Sequence, residues 1–499
     1  MTSTFDLGAP ATEKTDPGRR GSHASRWWVL VVLGVAQLMV TLDATVVNIA
    51  LPAAQQDLGF SDGNRQWVIT GYALAFGSLL LLGGRLGDLF GRRTTFVIGL
   101  IGFAGASVVG GAANSFEILV AARVGQGVFG ALLAPAALSL LTVTFTESSE
   151  RAKAFGIFSA LSGAGAATGL LLGGMLTEWA SWRWVMFVNV GFAAVALVGA
   201  VLLLAKHVAA GRPEIDIPGT LVVSAALFAV VYGFAHAEST SWTNPVTLGC
   251  LIGGVVLLAV FVWLEARVAH PLLPLRLVLD RTRGGSFLAV FGMGMGMFSI
   301  FLFLTYYLAV SLGYSPIEAG LAFLPMVAGI VLASTTVPSL LLPRIGPKIV
   351  ISTSFLVSAA GMARLTQLEL GSSFVTGVLP GLVLLGIGLG GVMTTAFQGA
   401  TAGIHHEDAG VASALINTSQ QVGGSISTAL LTTVATSAMT DYLTSHQPGP
   451  LTVAQAHVAS YTATFTWGAG IFVAGAVIAA FLVPNAALAP SEGEPVIAH

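Results

Sequence analysis

The sequence predicts an all-α integral membrane protein of fourteen transmembrane helices arranged 6+2+6, and three observations carry that prediction. Only 9% of the 499 residues are charged and 55% are hydrophobic, whereas a soluble chain carries about 25% charged residues. Apolar runs long enough to cross a bilayer recur from end to end. Between two of them stands a charged, glycine-rich turn, Gly84-Arg85-Leu86-Gly87-Asp88-Leu89-Phe90-Gly91-Arg92-Arg93. Charges at that density must sit in water. The formal net charge of −2 is uninformative, and the lack of a basic tract speaks against a nucleic-acid partner. The single cysteine, Cys250, lies in an apolar run and rules out an intramolecular disulfide.

The elements follow in order. Residues 1–26 are polar, lack the short apolar core of a cleavable leader, and read as a disordered cytoplasmic tail. A first six-helix bundle, 27–205, has spans 27–52, 66–83, 94–113, 116–142, 152–175 and 184–205. Residues 206–283 form an insert with spans 217–236 and 245–265. A second bundle, 284–483, has spans 284–310, 317–341, 347–367, 375–402, 408–436 and 460–483. A tail, 484–499, closes the chain. The division rests on a weak internal repeat. The 84–93 turn has a reduced echo at Pro343-Arg344-Ile345-Gly346-Pro347-Lys348, and the glycines of span 4 (Gly125, Gly127, Gly130) have one at Gly386, Gly388, Gly390 and Gly391. Both echoes are offset by eight spans rather than six, as an inserted pair requires. With the N-terminus inside, 17 basic residues fall on the cytoplasmic side and three (Arg65, Arg183, Arg364) outside. By the positive-inside rule, both termini are cytoplasmic in a plasma-membrane protein.

An ionisable side chain deep in lipid costs about 3 kcal/mol or more, so its presence points to function. Two stand out, Asp43 in span 1 and Arg123 in span 4. Counted from the outer ends of their helices they lie about 13 Å and about 10 Å deep, at similar depth in the same half of the membrane. Gln37, Thr41, Thr45 and Asn48 share one stripe of span 1, and Asp43 points away from it. Its partner must come from another helix, and Arg123 is the candidate. Burial raises an aspartate's proton affinity, a nearby arginine lowers it, and arginine itself keeps its proton. Small changes in their separation would let Asp43 bind and release H⁺.

Other residues carry weaker signals. Arg85, Arg92 and Arg93 fit the positive-inside bias, but Asp88 opposes it. It reads as a latch to a facing helix N-terminus, with Gly84, Gly87 and Gly91 permitting close approach and Arg92 completing a cytoplasmic gate. Gly165, Gly169 and Gly173 share a face of span 5 and predict an interdomain helix contact. Asn417, Gln420 and Gln421 in span 13, with Gln37, Thr41 and Asn48, are candidates for the lining of a substrate cavity. His405-His406 beside Glu407-Asp408 lacks metal-ligand spacing and reads as a solvated turn. No metal or cofactor is expected, and the expected partners are a small molecule, protons and lipid, with the chain a monomer. A membrane enzyme would need converging nucleophile–base or metal groups, which two charges on separate helices do not supply.

The pattern at 84–93 resembles the loop between helices 2 and 3 of the major facilitator superfamily. Leu42-Asp43-Ala44-Thr45-Val46-Val47-Asn48-Ile49-Ala50-Leu51-Pro52 resembles the first-helix motif of its fourteen-span drug:proton antiporters. Arg123-Val124-Gly125-Gln126-Gly127 is similar to their fourth-helix motif. Ser181-Trp182-Arg183-Trp184 through Asn189 and Gly313-Tyr314-Ser315-Pro316 are similar to further family segments. The resemblance implies the major facilitator fold and proton-driven efflux of a drug, antibiotic or toxic metabolite by alternating access. It assigns proton translocation to Asp43 and Arg123. A facilitator or proton symporter importing a nutrient is the alternative. The chain departs from the pattern at Leu170, where the antiporter helix carries proline, and at Ala309, where glutamine is usual.

Overall fold

The computed structural model describes residues 23–61, 64–145, 148–204, 216–268, 271–404 and 409–485. Helix follows helix throughout: α1 (His23–Leu58), α2 (Gln66–Phe90), α3 (Arg92–Gly111), α4 (Phe116–Thr144), α5 (Ser148–Trp179), α6 (Trp184–Leu203), α7 (Ile217–Ser239), α8 (Pro245–Glu265), α9 (Leu275–Leu279), α10 (Arg281–Tyr306), α11 (Pro316–Ala322), α12 (Leu324–Thr336), α13 (Leu342–Leu365), α14 (Leu379–Thr401), α15 (Ala409–Ser445) and α16 (Thr452–Leu482). Among the described residues 13 segments are long and apolar enough to cross a bilayer. The remaining expected span, 152–175, falls within the 32-residue helix α5, which packs along α1. The turn at His405-His406-Glu407-Asp408 and most of both tails lie outside the described residues.

Several helix boundaries differ from the sequence reading, those of α15 and α16 by the most residues. α15 runs on to Ser445 and α16 begins at Thr452, well beyond the limits of 436 and 460 set by hydropathy. The extra turns of α15 are polar, and their hydroxyls bond back to their own helix. Thr440, Thr444 and Ser445 donate to the carbonyls of Thr436, Thr440 and Asp441 at 2.9, 3.0 and 2.6 Å. Such helix looks like loop to a hydropathy scale. The larger correction is at 84–93. α2 continues through Phe90 and α3 starts at Arg92, so the turn is Gly91 alone. Its φ of +88° is open to glycine at no steric cost. Gly346, in the weak echo of this segment, breaks its helix with φ +75°. One backbone device thus closes both hairpins.

The first six helices pack mainly on one another, through α1–α5, α1–α6, α2–α4, α3–α4 and α3–α6. The last group does the same through α10–α15, α10–α16, α13–α14, α13–α16 and α12–α14. The pair α7–α8 packs on itself, and α7 touches both α2 and α15. The two groups meet along α2–α15, α5–α11 and α1–α10. Because the spans alternate, Gly91, Asp216, Glu265 and Gly346 lie on one side of the membrane, and Gly59, Arg183 and Gly313 on the other.

Candidate functional site

Asp43 on α1 is wholly buried, at 0% exposure. Its Oδ2 accepts from Arg123 Nη1 at 2.6 Å. Its Oδ1 accepts from Gln126 Nε2 at 2.9 Å and from Asn189 Nδ2 at 2.7 Å. Arg123, 1% exposed, also donates through Nε to the Val68 carbonyl at 3.1 Å and through Nη1 to Gln126 Oε1 at 2.7 Å. Its guanidinium carbon stands 4.5 Å from the centre of the Tyr72 ring. Gln126 reaches on to Ser107 Oγ at 2.8 Å. Five helices, α1, α2, α3, α4 and α6, therefore converge on one acid. Arg123 and Gln126 act together because residues three apart on α4 share a face.

The cluster pairs one group that can lose its charge, the carboxylate, with one that cannot, the guanidinium. Ionised, Asp43 is an acceptor held by three donors; protonated, it becomes a donor and needs an acceptor. Asn189 Oδ1 has no partner among the described residues, and a primary amide that turns over exchanges donor for acceptor. The cage can thus satisfy either state. Gln126, Asn189, Ser107 and Tyr72 were missing from the sequence-level site. Asn189 had a legible signal, since it is the one polar side chain in the run 184–203.

The span-5 glycines meet a different neighbour from the one expected. A Cβ on Gly165 would overlap Thr41 Oγ1, one on Gly169 would overlap Thr45 Oγ1, and one on Gly173 would lie 2.8 Å from Val46 Cγ2. All three face α1, so the stripe joins helices within the first bundle rather than across the halves. The step between halves is taken by Gly174, one residue on and about 100° round the helix. A Cβ there would lie 2.6 Å from the Pro316 carbonyl, and one on Gly320 would lie 2.5 Å from the Leu170 carbonyl. Leu170 is fully buried, and α5 runs past it as one unbroken α-helix.

The α1 stripe is correspondingly occupied with packing. Thr41 and Thr45 face those glycines and bond to their own backbone, while Asn48 donates to the Ala44 carbonyl at 3.0 Å. Gln37 is half-buried. On α15, Asn417 is exposed, Gln420 approaches Met297 Sδ at 3.9 Å, and the Gln421 Cβ lies 3.3 Å from where a Cβ on Gly77 of α2 would be. Ser425 and Thr428 bond within α15, and the cross-helix bond is instead Ser299 with Ser427 at 2.7 Å.

At the 84–93 hairpin, Arg92 donates to the Ser139 carbonyl at 3.5 Å. Arg93 donates to the carbonyls of Ala200 and Val201 at 3.4 and 2.9 Å. Arg93 caps the end of α6, where a cation is favoured, and Arg92 meets α4 five residues before its end. Gly84 and Gly87 are not close-approach positions; Gly83 is, for a Cβ there would overlap the Ala131 carbonyl. The side chain of Asp88 lies outside the described residues. At the other side of the membrane the halves are tied directly. Tyr306 donates to Gln55 Oε1 at 2.6 Å, Arg65 lies 4.0 Å over the Tyr306 ring, and Glu178 accepts from the Ile317 amide at 3.2 Å.

An all-helical bundle whose two groups of spans meet across such interfaces, with an acid–arginine pair buried inside one, is the build of a secondary transporter. The chain belongs to the Major Facilitator Superfamily, whose family model matches residues 33–428. It is 48% identical over 475 residues to the puromycin resistance protein pur8 of Streptomyces alboniger, covering 95% of this chain and 94% of that one. To the cephamycin export protein CmcT of Amycolatopsis lactamdurans it is 37% identical, over 84% of this chain and 86% of that one. A bacterial homologue of the human lysosomal transporter Spinster, crystallised inward-facing and unoccupied, shares the fold with a TM-score of 0.65 at 17% identity. That match covers 93% of this chain and 98% of the other.

Proposed function

We propose that the protein exports a small amphipathic compound, an antibiotic or toxic metabolite, in exchange for protons by alternating access. One observation carries this: Asp43 is fully buried against Arg123 with a cage that suits both of its protonation states. Loss of charge at Asp43 removes the counter-ion of Arg123 and loosens α1 from α4. α1 is locked to α5 by the glycine stripe, and α5 bears on α11 of the other half through Gly174 and Gly320. A change at the acid thus has a packed route to the interface that must open. The names of relatives that confer puromycin resistance or export cephamycin support the direction and the cargo class.

In this reading the arrangement is 6+2+6, the Gly91 side is cytoplasmic with both termini, and the membrane is the plasma membrane. The chain works as a monomer, with protons rather than a cofactor as its energy source. Gln37, Asn417, Gln420 and Gln421 are the proposed cavity residues, and Asp88 with Arg92 and Arg93 rims the cytoplasmic gate. The Gln55–Tyr306 and Glu178–Ile317 contacts form the closed outer side.

The test is drug accumulation in a pump-deficient host, with puromycin as the first compound. Cells expressing the protein should accumulate less than empty cells, and a protonophore should remove the difference. Asp43→Asn should behave like empty cells while the protein still reaches the membrane. Undiminished, protonophore-sensitive efflux from Asp43→Asn would overturn the reading.

A further inference from the structure

A second pair of buried acids lies on the Gly91 side, away from Asp43. Asp216 precedes α7 and caps it, with Oδ1 accepting from the Gly219 amide at 2.8 Å. Glu265 ends α8, with Oε2 accepting from the Leu273 amide at 3.0 Å. The two residues are 5% and 4% exposed. Their other oxygens, Asp216 Oδ2 and Glu265 Oε1, have no donor among the described residues. Those oxygens converge on Gly219: a Cβ there would overlap Asp216 Oδ2 and lie 2.8 Å from Glu265 Oε1. Leu272, Leu273, Phe261, Val223 and Leu81 form an apolar cluster beside the pair.

Two acceptors facing each other out of water repel when both are ionised, and a single proton between them turns the repulsion into an O–H···O bond. Such a pair titrates as a unit and holds its shared proton more firmly than either acid alone. The charged group that acts on it from outside is Arg85 of α2, whose field reaches Glu265. The linker before α9 contributes the Leu273 amide, and α15 contributes the apolar Val411, Ala414 and Leu415.

We propose that Asp216 and Glu265 are a second proton-binding site, which holds one H⁺ between Oδ2 and Oε1 and, while it does so, clamps the start of α7 to the end of α8. The proton comes from and returns to water on the Gly91 side. Its release leaves two like charges side by side, which repel, and the α7–α8 clamp weakens. The site is distinct from the Asp43 cage and does not depend on the export reading.

The experiment uses purified full-length protein, with the proton itself as the ligand. Infrared difference spectra between mildly acidic and mildly alkaline pH report protonated carboxyl groups, and thermal melting is followed over the same range. Asp216→Asn keeps the cap on α7 and Glu265→Gln keeps the acceptor for Leu273. Either one also supplies an N–H to the opposite oxygen, so one folded variant suffices. A proton held more tightly in the folded state stabilises at low pH and ceases to as pH rises through the pair's titration. The wild type should therefore show a protonated-carboxyl signal that disappears with rising pH, and a melting temperature that falls in step. In an Asp43→Asn background, which removes the other proposed proton site, both effects should be present, and adding Asp216→Asn or Glu265→Gln should abolish them. A carboxyl signal and pH-dependent melting that survive when either substitution is added to Asp43→Asn, or an Asp43→Asn protein with neither, would overturn the proposal.

Discussion

Replacing Gly169 by valine is expected to leave no assembled protein in the membrane. Gly169 is buried where α5 crosses α1, and a Cβ would overlap Thr45 Oγ1 and lie 3.0 Å from the Leu42 carbonyl and 3.3 Å from the Leu42 Cα. A threonine can rotate, but backbone cannot, so α1 must move away as a body. Gly165 and Gly173 hold the same contact above and below, so a local shift breaks both. Overpacking of a well-filled interior costs about 1–3 kcal/mol, and a clash with backbone along a rigid helix belongs at or above the top of that range. Leu42 is also the neighbour of Asp43, so any structure that survives has its acid displaced. Gly87→Ala is the matched control, because no atom lies within 4 Å of a Cβ there. Fluorescence-detected size-exclusion chromatography should give a monodisperse peak for Gly87→Ala and none for Gly169→Val.

Arg123→Ala is the second large effect. It leaves Asp43 buried with two neutral amide donors, and removing one partner of a buried ion pair costs about 3–5 kcal/mol. Arg123→Lys should recover only part of this. A lysine has one nitrogen, which cannot take the places of both Nε on the Val68 carbonyl and Nη1 between Asp43 and Gln126. The melting temperature should fall in the order wild type, Arg123→Lys, Arg123→Ala. Asp43→Asn combined with Arg123→Ala should melt above Arg123→Ala alone, since the double variant carries no unpaired charge. A double variant that merely sums the two single losses would mean the residues do not act as a pair.

Much of this was legible because lipid makes polar residues conspicuous. The apolar runs marked the spans, and two charges deep inside them marked Asp43 and Arg123. Helical phase then showed that Asp43 had to look outside its own helix. The cage stayed hidden, since Gln126, Asn189 and Ser107 are uncharged and a single amide in a span reads as a packing detail. The glycine stripe was legible as an interface but not as to its partner. Gly173 faces α1 and Gly174 faces α11, and a small-residue repeat states that something packs closely without saying what. Hydropathy failed where threonine and serine bond to their own helix, at the end of α15. It also failed at Gly91, where charges that suggested a ten-residue turn sit on helices that continue to either side of one residue.

The most direct measurement of proton coupling at Asp43 separates coupled flux from exchange in proteoliposomes with puromycin. The wild type should accumulate the compound against its gradient when a pH difference is imposed, and exchange labelled for unlabelled compound when none is. Asp43→Asn should keep the exchange and lose the pH-driven accumulation, because the helices can still rock while no group takes up and releases the proton. Accumulation by Asp43→Asn at the wild-type level under the same pH difference would contradict this, and the proton would then have to travel by another residue.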